Sequence, residues 1–165
     1  MEVTVFADEA AQLAVWGRNL NFDREISGGG YLIRLSDVDS NLALWSLDGQ
    51  FVFGTGMRND LPHAEVLSSD FEAVRKYAAW YMVSHWRYDR ALISTSDERS
   101  IVPAKDYSVE STGSEVRLHS PDGWILSFID GGVLAIAAAS FSKVASLSTE
   151  EICTLGKLPE PFPLP

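Results

Sequence analysis

Short apolar runs separated by tight-turn residues constrain the fold of this chain more than any other feature. Asp48 and Gly49 stand between two such runs, and both residues tolerate the positive φ angle that a two-residue hairpin turn requires. Gly113 and Gly123 mark further turns between runs in which apolar and polar residues alternate. The pattern predicts antiparallel strands, for which the candidate ranges are 31–35, 41–47, 50–54, 63–67, 107–111, 115–119, 124–129 and 133–137.

Residues 70–88 have the periodicity of one long amphipathic helix. Apolar side chains recur at spacings of three and four from Phe71 to His85. The other side of this helix carries Arg87 and Arg90, which predicts a charged, solvent-facing surface there.

Capping boxes, in which two side chains bond each other's backbone N–H groups, mark the starts of two helices. Ser69 with Glu72 begins the long helix, and Ser148 with Glu151 begins a short last one. Shorter helical patterns cover 8–20 and 138–147. The order of elements predicts an α+β fold: a mostly antiparallel sheet of about six to seven strands, with the long helix packed on it and short terminal helices.

The composition fits a single domain at residues 1–155, followed by a proline-rich tail at 156–165. A chain of 165 residues that is 46% hydrophobic can bury one core and is too short for two. Cys153 is a single cysteine, which excludes an intramolecular disulfide. No apolar run reaches the roughly 18 residues of a membrane helix. The first residues lack a basic segment followed by an apolar run, so we expect a cytoplasmic protein.

The negative charge is concentrated in the first part of the sequence. The net charge of −10 divides into −7 for residues 1–70, +1 for 71–100 and −4 for 101–165. This gradient fits one acidic face, and it also fits acids that only decorate loops and helix starts. The excess of acids argues against a nucleic-acid partner, because phosphates need positive charge.

The sequence carries no motif for catalysis, a cofactor or a metal ion. It has neither the Gly-x-Ser-x-Gly elbow of hydrolases nor a Walker lysine. Asp37, Asp39, Asn41 and Asp48 have part of the spacing of a calcium loop, but Leu42 occupies the position that requires glycine. We therefore expect no enzymatic activity, no cofactor and no metal. A small enzyme with a site assembled from scattered residues is a rival hypothesis.

Several segments of the second half share their order with one known family. They are FEAVRKY at 71–77, IVPAKDYSV at 101–109, PDGWIL at 121–126, GGVLAI at 131–136 and LSTEEI at 147–152. Over roughly residues 65–160 the chain resembles the immunity-protein family that contains the antidote to the mycobacterial tuberculosis necrotizing toxin. The resemblance implies a cytoplasmic antitoxin that binds an NAD-hydrolysing toxin domain and blocks its active site.

An inhibitor of such an enzyme needs a surface that complements a phosphate-binding pocket. Such a pocket is commonly electropositive, so an acidic surface matches it and speeds the encounter. The loop at 56–63 and the acids of the first 70 residues are the natural candidates, with Met57 or Trp45 as an apolar anchor. The predicted toxin-binding residues are Asp37, Asp39, Trp45, Asp48, Met57, Arg58, Asn59, Asp60 and His63. The alternative is a non-catalytic acidic adaptor module. Neither hypothesis involves nucleic acid or a membrane.

Overall fold

A computed structural model of the chain describes residues 3–92, 102–129, 134–160 and 162. Within these ranges eight strands form one antiparallel sheet and four helices pack against it. The strands are β1 (Arg24–Glu25), β2 (Ile33–Ser36), β3 (Ser40–Leu47), β4 (Gln50–Met57), β5 (His63–Ser68), β6 (Ser108–Thr112), β7 (Glu115–His119) and β8 (Ile125–Phe128). The helices are α1 (Val3–Arg18), α2 (Phe71–Asp89), α3 (Leu134–Ser142) and α4 (Thr149–Leu155).

The sheet consists of two meanders that meet side by side. Its strand order is β1-β2-β3-β4-β5-β8-β7-β6, so β5 pairs with β8 although α2 and two strands separate them in sequence. The junction is short: Val66 pairs with Phe128, and Leu67 pairs with Ser127. The predicted α+β class is confirmed, with the short β1 raising the strand number above the expected six to seven.

All four helices share one continuous apolar core with the sheet. The long helix α2 contacts β4, β5 and β8 as well as α1 and α4, while α3 contacts β6 and β7. Alternate strand residues point to this core, because successive side chains of a strand face opposite sides. The core side chains of the sheet are Ile33, Leu35, Leu42, Leu44, Phe53, Val66, Val116, Leu118, Leu126 and Phe128.

Strand β4 continues beyond the predicted end at residue 54 and reaches Met57. Gly54 lies inside the strand, and this position requires glycine because a side chain has no room there. A Cβ atom would overlap the carbonyl oxygen of His63 and would lie 2.7 Å from the Trp45 ring. This glycine therefore marks a close approach of backbone and ring inside the sheet, not the start of a loop.

The prediction of a strand at 133–137 is wrong. Residues 134–142 form α3, whose Ala138, Ala139 and Phe141 are fully buried. A short, wholly apolar run fits a buried strand or a buried helix equally well. Here the alanine content decides the outcome, because alanine has the highest helix propensity. Residues 130–132, between the strands predicted at 124–129 and 133–137, lie outside the described residues.

The two predicted helix starts have different outcomes. The Ser148–Glu151 capping box is confirmed: the Ser148 hydroxyl accepts from the Glu151 N–H at 3.1 Å, and the Ser148 N–H donates to the Glu151 carboxylate at 2.7 Å. The predicted box at Ser69 is wrong, because Asp70 caps α2 by accepting from the Ala73 N–H at 2.8 Å.

The two arginines predicted to face solvent on α2 have different outcomes: Arg90 is exposed, whereas Arg87 is covered by α4 and the chain's last described residues. Arg87 is 3% exposed. Its guanidinium donates to the carbonyl oxygens of Gly156 and Leu158, each at 2.8 Å, and of Glu160 at 2.9 Å. Phe162 is buried beyond them. Arg87 thus fixes the described part of the proline-rich tail onto the domain.

None of the helices in the described ranges has both the length and the apolar character needed to cross a bilayer.

Candidate functional site

Two loops meet at one end of the sheet and form the strongest candidate for a binding site. The β2–β3 turn carries Asp37, Val38 and Asp39, and the β4–β5 loop follows Met57. The backbone N–H of Arg58 donates to the carbonyl of Asp39 at 2.9 Å. Together, residues 37–39 and 57–61 are called the acidic tip below.

Asp37 holds the β2–β3 turn in shape. Its Oδ1 accepts hydrogen bonds from the backbone N–H groups of Asp39 at 2.8 Å and Ser40 at 2.6 Å, and from the Ser40 hydroxyl at 3.1 Å. Only 9% of its side chain is exposed. The Asp37 carboxylate therefore stabilises the turn, whereas Asp39 and Asp60 are exposed to solvent.

A buried asparagine supports the β4–β5 loop from below. Asn41 is 0% exposed. Its Nδ2 donates to the carbonyl oxygens of Arg58 at 2.9 Å and Asp60 at 3.1 Å. Arg34 completes the network, since its Nε donates to Asn41 Oδ1 at 3.3 Å and its Nη2 to the Asp60 carbonyl at 2.9 Å.

The acidic tip presents apolar side chains to solvent. Val38 is 81% exposed, Met57 69% and Leu61 68%. Single exposed apolar residues are ordinary on protein surfaces. Three on adjoining loops, beside the carboxylates of Asp39 and Asp60, have the character of a binding surface with an apolar centre and a polar rim.

A cleft of about 280 Å³ opens beside the tip, toward α2. It is lined by Asn21, Asp23, Asp37, Val38, Asp39, His85 and Asp89. His85 Nδ1 lies 3.7 Å from Asp37 Oδ2 and 3.6 Å from Asp89 Oδ2, just beyond hydrogen-bonding distance. Across the described ranges, no three His, Cys, Asp or Glu side chains are arranged to hold a metal ion.

The predicted toxin-binding residues fall into two groups. The tip brings together Asp37, Asp39, Met57, Arg58, Asn59 and Asp60, and His63 follows directly as the exposed first residue of β5. The others lie away from it. Asp48 is in the hairpin turn at the far end of β3 and β4, and Trp45 is half-buried along β3, with its ring 5.6 Å from that of Tyr31.

Sequence reasoning missed the residues that form the cleft with the tip. Asp23 and Asn21 come from the segment before β1, and Asp89 from the end of α2. The pair His85 and Asp89 carried a usable signal, because residues four apart lie on one side of a helix. No local pattern places Asn21 and Asp23 at the cleft, because their position there depends on tertiary packing.

Burial keeps several titratable side chains of the core in their neutral forms at neutral pH. Thr55 donates a hydrogen bond to Glu65 inside the sheet. Burial, with a smaller contribution from the nearby Glu65 carboxylate, raises the pKa of Tyr81 to about 12 and raises that of Tyr77 as well. Burial also raises the pKa of the Cys153 thiol to about 12, so it stays protonated and is a poor nucleophile.

Neither a protein-family model nor a curated protein sequence matches this chain. A solved structure does: Rv3902c from M. tuberculosis superposes with a TM-score of 0.67 at 17% sequence identity, over 93% of this chain and 91% of that one. At this identity the likeness establishes a shared fold and nothing finer. The likeness extends beyond residues 65–160, so it includes strands of the first meander and not only the segments that resemble the immunity family.

Proposed function

We propose that this chain is an immunity protein that binds a toxin enzyme through the acidic tip and blocks the enzyme's active site. The observation that supports the proposal best is the set of exposed apolar side chains Val38, Met57 and Leu61 beside the carboxylates of Asp39 and Asp60. These side chains stand on two loops at one end of the sheet, and an inhibitor that blocks an active site must place exposed groups of this kind in the space that the substrate would occupy.

The chemistry of the tip fits an enzyme that binds a phosphate-rich substrate. Burial of one large apolar side chain contributes about 1.5–3 kcal/mol, so Met57 and Leu61 supply the anchors. The acids supply the match to a cationic cleft, which accelerates association and disfavours partners of the wrong charge. NAD hydrolysis is the reaction that the family resemblance implies for the toxin.

One further observation supports the immunity role. Several segments of the second half share their order with the family that contains a mycobacterial antidote. The role needs no catalytic residues of this chain, and it requires the protein to be in the cytoplasm of the cell that the toxin would harm.

The proposal predicts that a neighbouring gene encodes the toxin domain, and co-expression with that domain tests it. Cells that produce the toxin domain alone should lose NAD and stop growing, and the wild-type chain should restore both. Failure of rescue by a well-expressed chain would overturn the proposal. If the chain binds a neighbouring gene product that harms no cell, the adaptor hypothesis is the better one.

A further inference from the structure

The two loops of the acidic tip are tied together by Asn41. This residue lies in β3, directly after the β2–β3 turn, and its side-chain amide donates to two carbonyls of the β4–β5 loop. Gly56 keeps the space for these bonds. A Cβ atom there would lie 3.2 Å from Asn41 Nδ2 and 3.1 Å from the carbonyl oxygens of Asp60 and Leu61.

Several backbone groups of the tip bond within the protein. The carbonyl of Asp39 accepts from the Arg58 N–H at 2.9 Å, and the carbonyl of Met57 accepts from the Asp60 N–H at 2.8 Å. The carbonyls of Arg58 and Asp60 face Asn41. These four carbonyls are occupied, and the exposed side chains Val38, Met57 and Leu61 are the apolar groups that the tip presents to a partner.

We propose that Asn41 is a positioning residue that holds the acidic tip in its binding shape before a partner arrives. The inference rests on the proposed function and specifies the partner's surface. That surface has an apolar pocket for the Met57 and Leu61 side chains, ringed by cationic groups that face Asp39 and Asp60. Recognition by strand addition is the mode that this geometry disfavours, because strand addition needs unpaired backbone groups.

Ordering the tip before binding reduces the conformational entropy that is lost when the complex forms. A loop that is ordered only in the complex loses conformational freedom at that moment, which weakens the affinity. Buried side-chain bonds to its backbone order the loop in advance. Removal of the donor takes the Asn41 bond from the Arg58 carbonyl and leaves the Asp60 carbonyl with the Arg34 bond. The lost hydrogen bonds are costly in themselves.

Hydrogen exchange in the free protein tests the positioning role without any toxin. Asn41→Asp keeps the size of the side chain and removes both N–H donors. The amide protons of Arg58 and Asp60, which bond within the tip, should then exchange about tenfold faster. Gly56→Ala presses a methyl group against the same bonds and should have the same local effect, so the test stands even if Asn41→Asp does not fold.

Val116→Ala in β7 is the matched control, since it removes buried atoms three strands away from β4. It should lower the stability and leave the two tip amides unchanged. Unchanged exchange in both tip variants, or an equal increase in the control, would overturn the positioning role.

Binding kinetics with the co-encoded toxin domain then separate the two proposals. The positioning role predicts that Asn41→Asp lowers the affinity about tenfold while Val116→Ala does not. If the wild-type chain does not bind, the proposed function fails, and the exchange experiment alone decides whether Asn41 orders the tip. If Asn41→Asp binds as tightly as the wild type, the positioning role fails and the proposed function stands.

Discussion

Strands β3 and β4 end in the Asp48-Gly49 turn on one side of the molecule and in the acidic tip on the other. Eight residues of β3 separate the two ends by about 25 Å. At the first end, Asp48 and Gly49 take φ angles of +51° and +78° and form a plain hairpin turn. At the second end, a buried asparagine bonds one of two adjoining loops, and these loops carry three exposed apolar side chains.

The difference shows that an aspartate does not mark a binding site by itself. Asp39 and Asp48 are of one residue type and lie in consecutive turns of one meander, at the two ends of β3. What distinguishes Asp39 is its surroundings: an adjacent loop that supplies Met57 and Leu61, and a supporting network beneath. The local sequence explains the turn at Asp48 completely, whereas the tip depends on strand register.

Charge reversal gives the largest expected contrast between the two ends. Under the proposed function, Asp39→Lys combined with Asp60→Lys should weaken toxin binding by about a hundredfold, because it reverses two charges of the surface proposed to meet a cationic cleft. It also removes the 3.4 Å ion pair between Asp39 and Arg58. Asp48→Lys, which changes the charge by two units where the double variant changes it by four, is the control at the other end and should stay within about threefold of the wild type. Titration calorimetry at low salt measures both. Equal losses would mean that the total charge matters and the tip does not.

Truncation of apolar side chains should give the next largest contrast. Met57→Ala and Leu61→Ala should each lower the affinity about tenfold through lost burial in the complex. Leu47→Ala tests the other end of β3, where that side chain is 52% exposed. It should leave the affinity unchanged. Dissociation rates measured by surface plasmon resonance would reveal the effect, and a comparable loss in the Leu47 variant would contradict it.

Backbone geometry distinguishes the two ends in stability rather than in affinity. Gly49→Ala places a Cβ atom at a positive φ angle and should lower the free energy of unfolding by about 1–2 kcal/mol. Toxin binding should be unaffected, because that turn lies away from the tip. Urea denaturation and a binding assay on the same sample measure the two quantities. A variant that loses affinity while it stays folded would show that the two ends communicate.

The smallest effect concerns the tyrosine beneath the tip and appears only at high pH. The folded-state pKa of Tyr81 is about 12, above its ordinary value of 10.0. The neutral phenol therefore stabilises the fold fully below pH 10, and this contribution is lost as the pH rises toward 12. Between pH 9 and pH 11 the urea midpoint of the wild type should fall more than that of Tyr81→Phe. Equal falls would rule out this role of Tyr81.

Local patterns in the sequence were sufficient for much of the fold. The Asp48-Gly49 hairpin, the β7 range, the body of α2 and the Ser148–Glu151 box are all governed by contacts between residues close in the chain. The strand predicted at 133–137 failed because an apolar run has no periodicity from which to read the helix. The burial of Arg87 was equally invisible, since its carbonyl partners lie about 70 residues away.

The candidate site was predictable in part for the same reason. Residues 57–60 are contiguous, so a loop with an exposed methionine and acids could be proposed from composition. Asp37 shapes its turn through bonds to residues two and three positions on, so that role had a local signal. The support from Asn41 depends on the pairing of β3 with β4. Asp48 was included for its charge, although the predicted hairpin already places it at the opposite end of the strand at 50–54 from the loop at 56–63.

The narrow junction between the two meanders has a consequence for folding kinetics. Strands β1–β5 pair only with sequence neighbours, and so do β6–β8, whereas β5 and β8 join through two residue pairs between distant parts of the chain. Local pairings form before distant ones because they close smaller loops. We therefore expect each meander to assemble by itself and the junction to close last. When the junction opens, one edge of β5 and one edge of β8 lose their partners, and such edges can pair with another chain. The Ser68 hydroxyl donates to the Ile125 carbonyl across the junction. We therefore expect this hydrogen bond to oppose aggregation as well as unfolding.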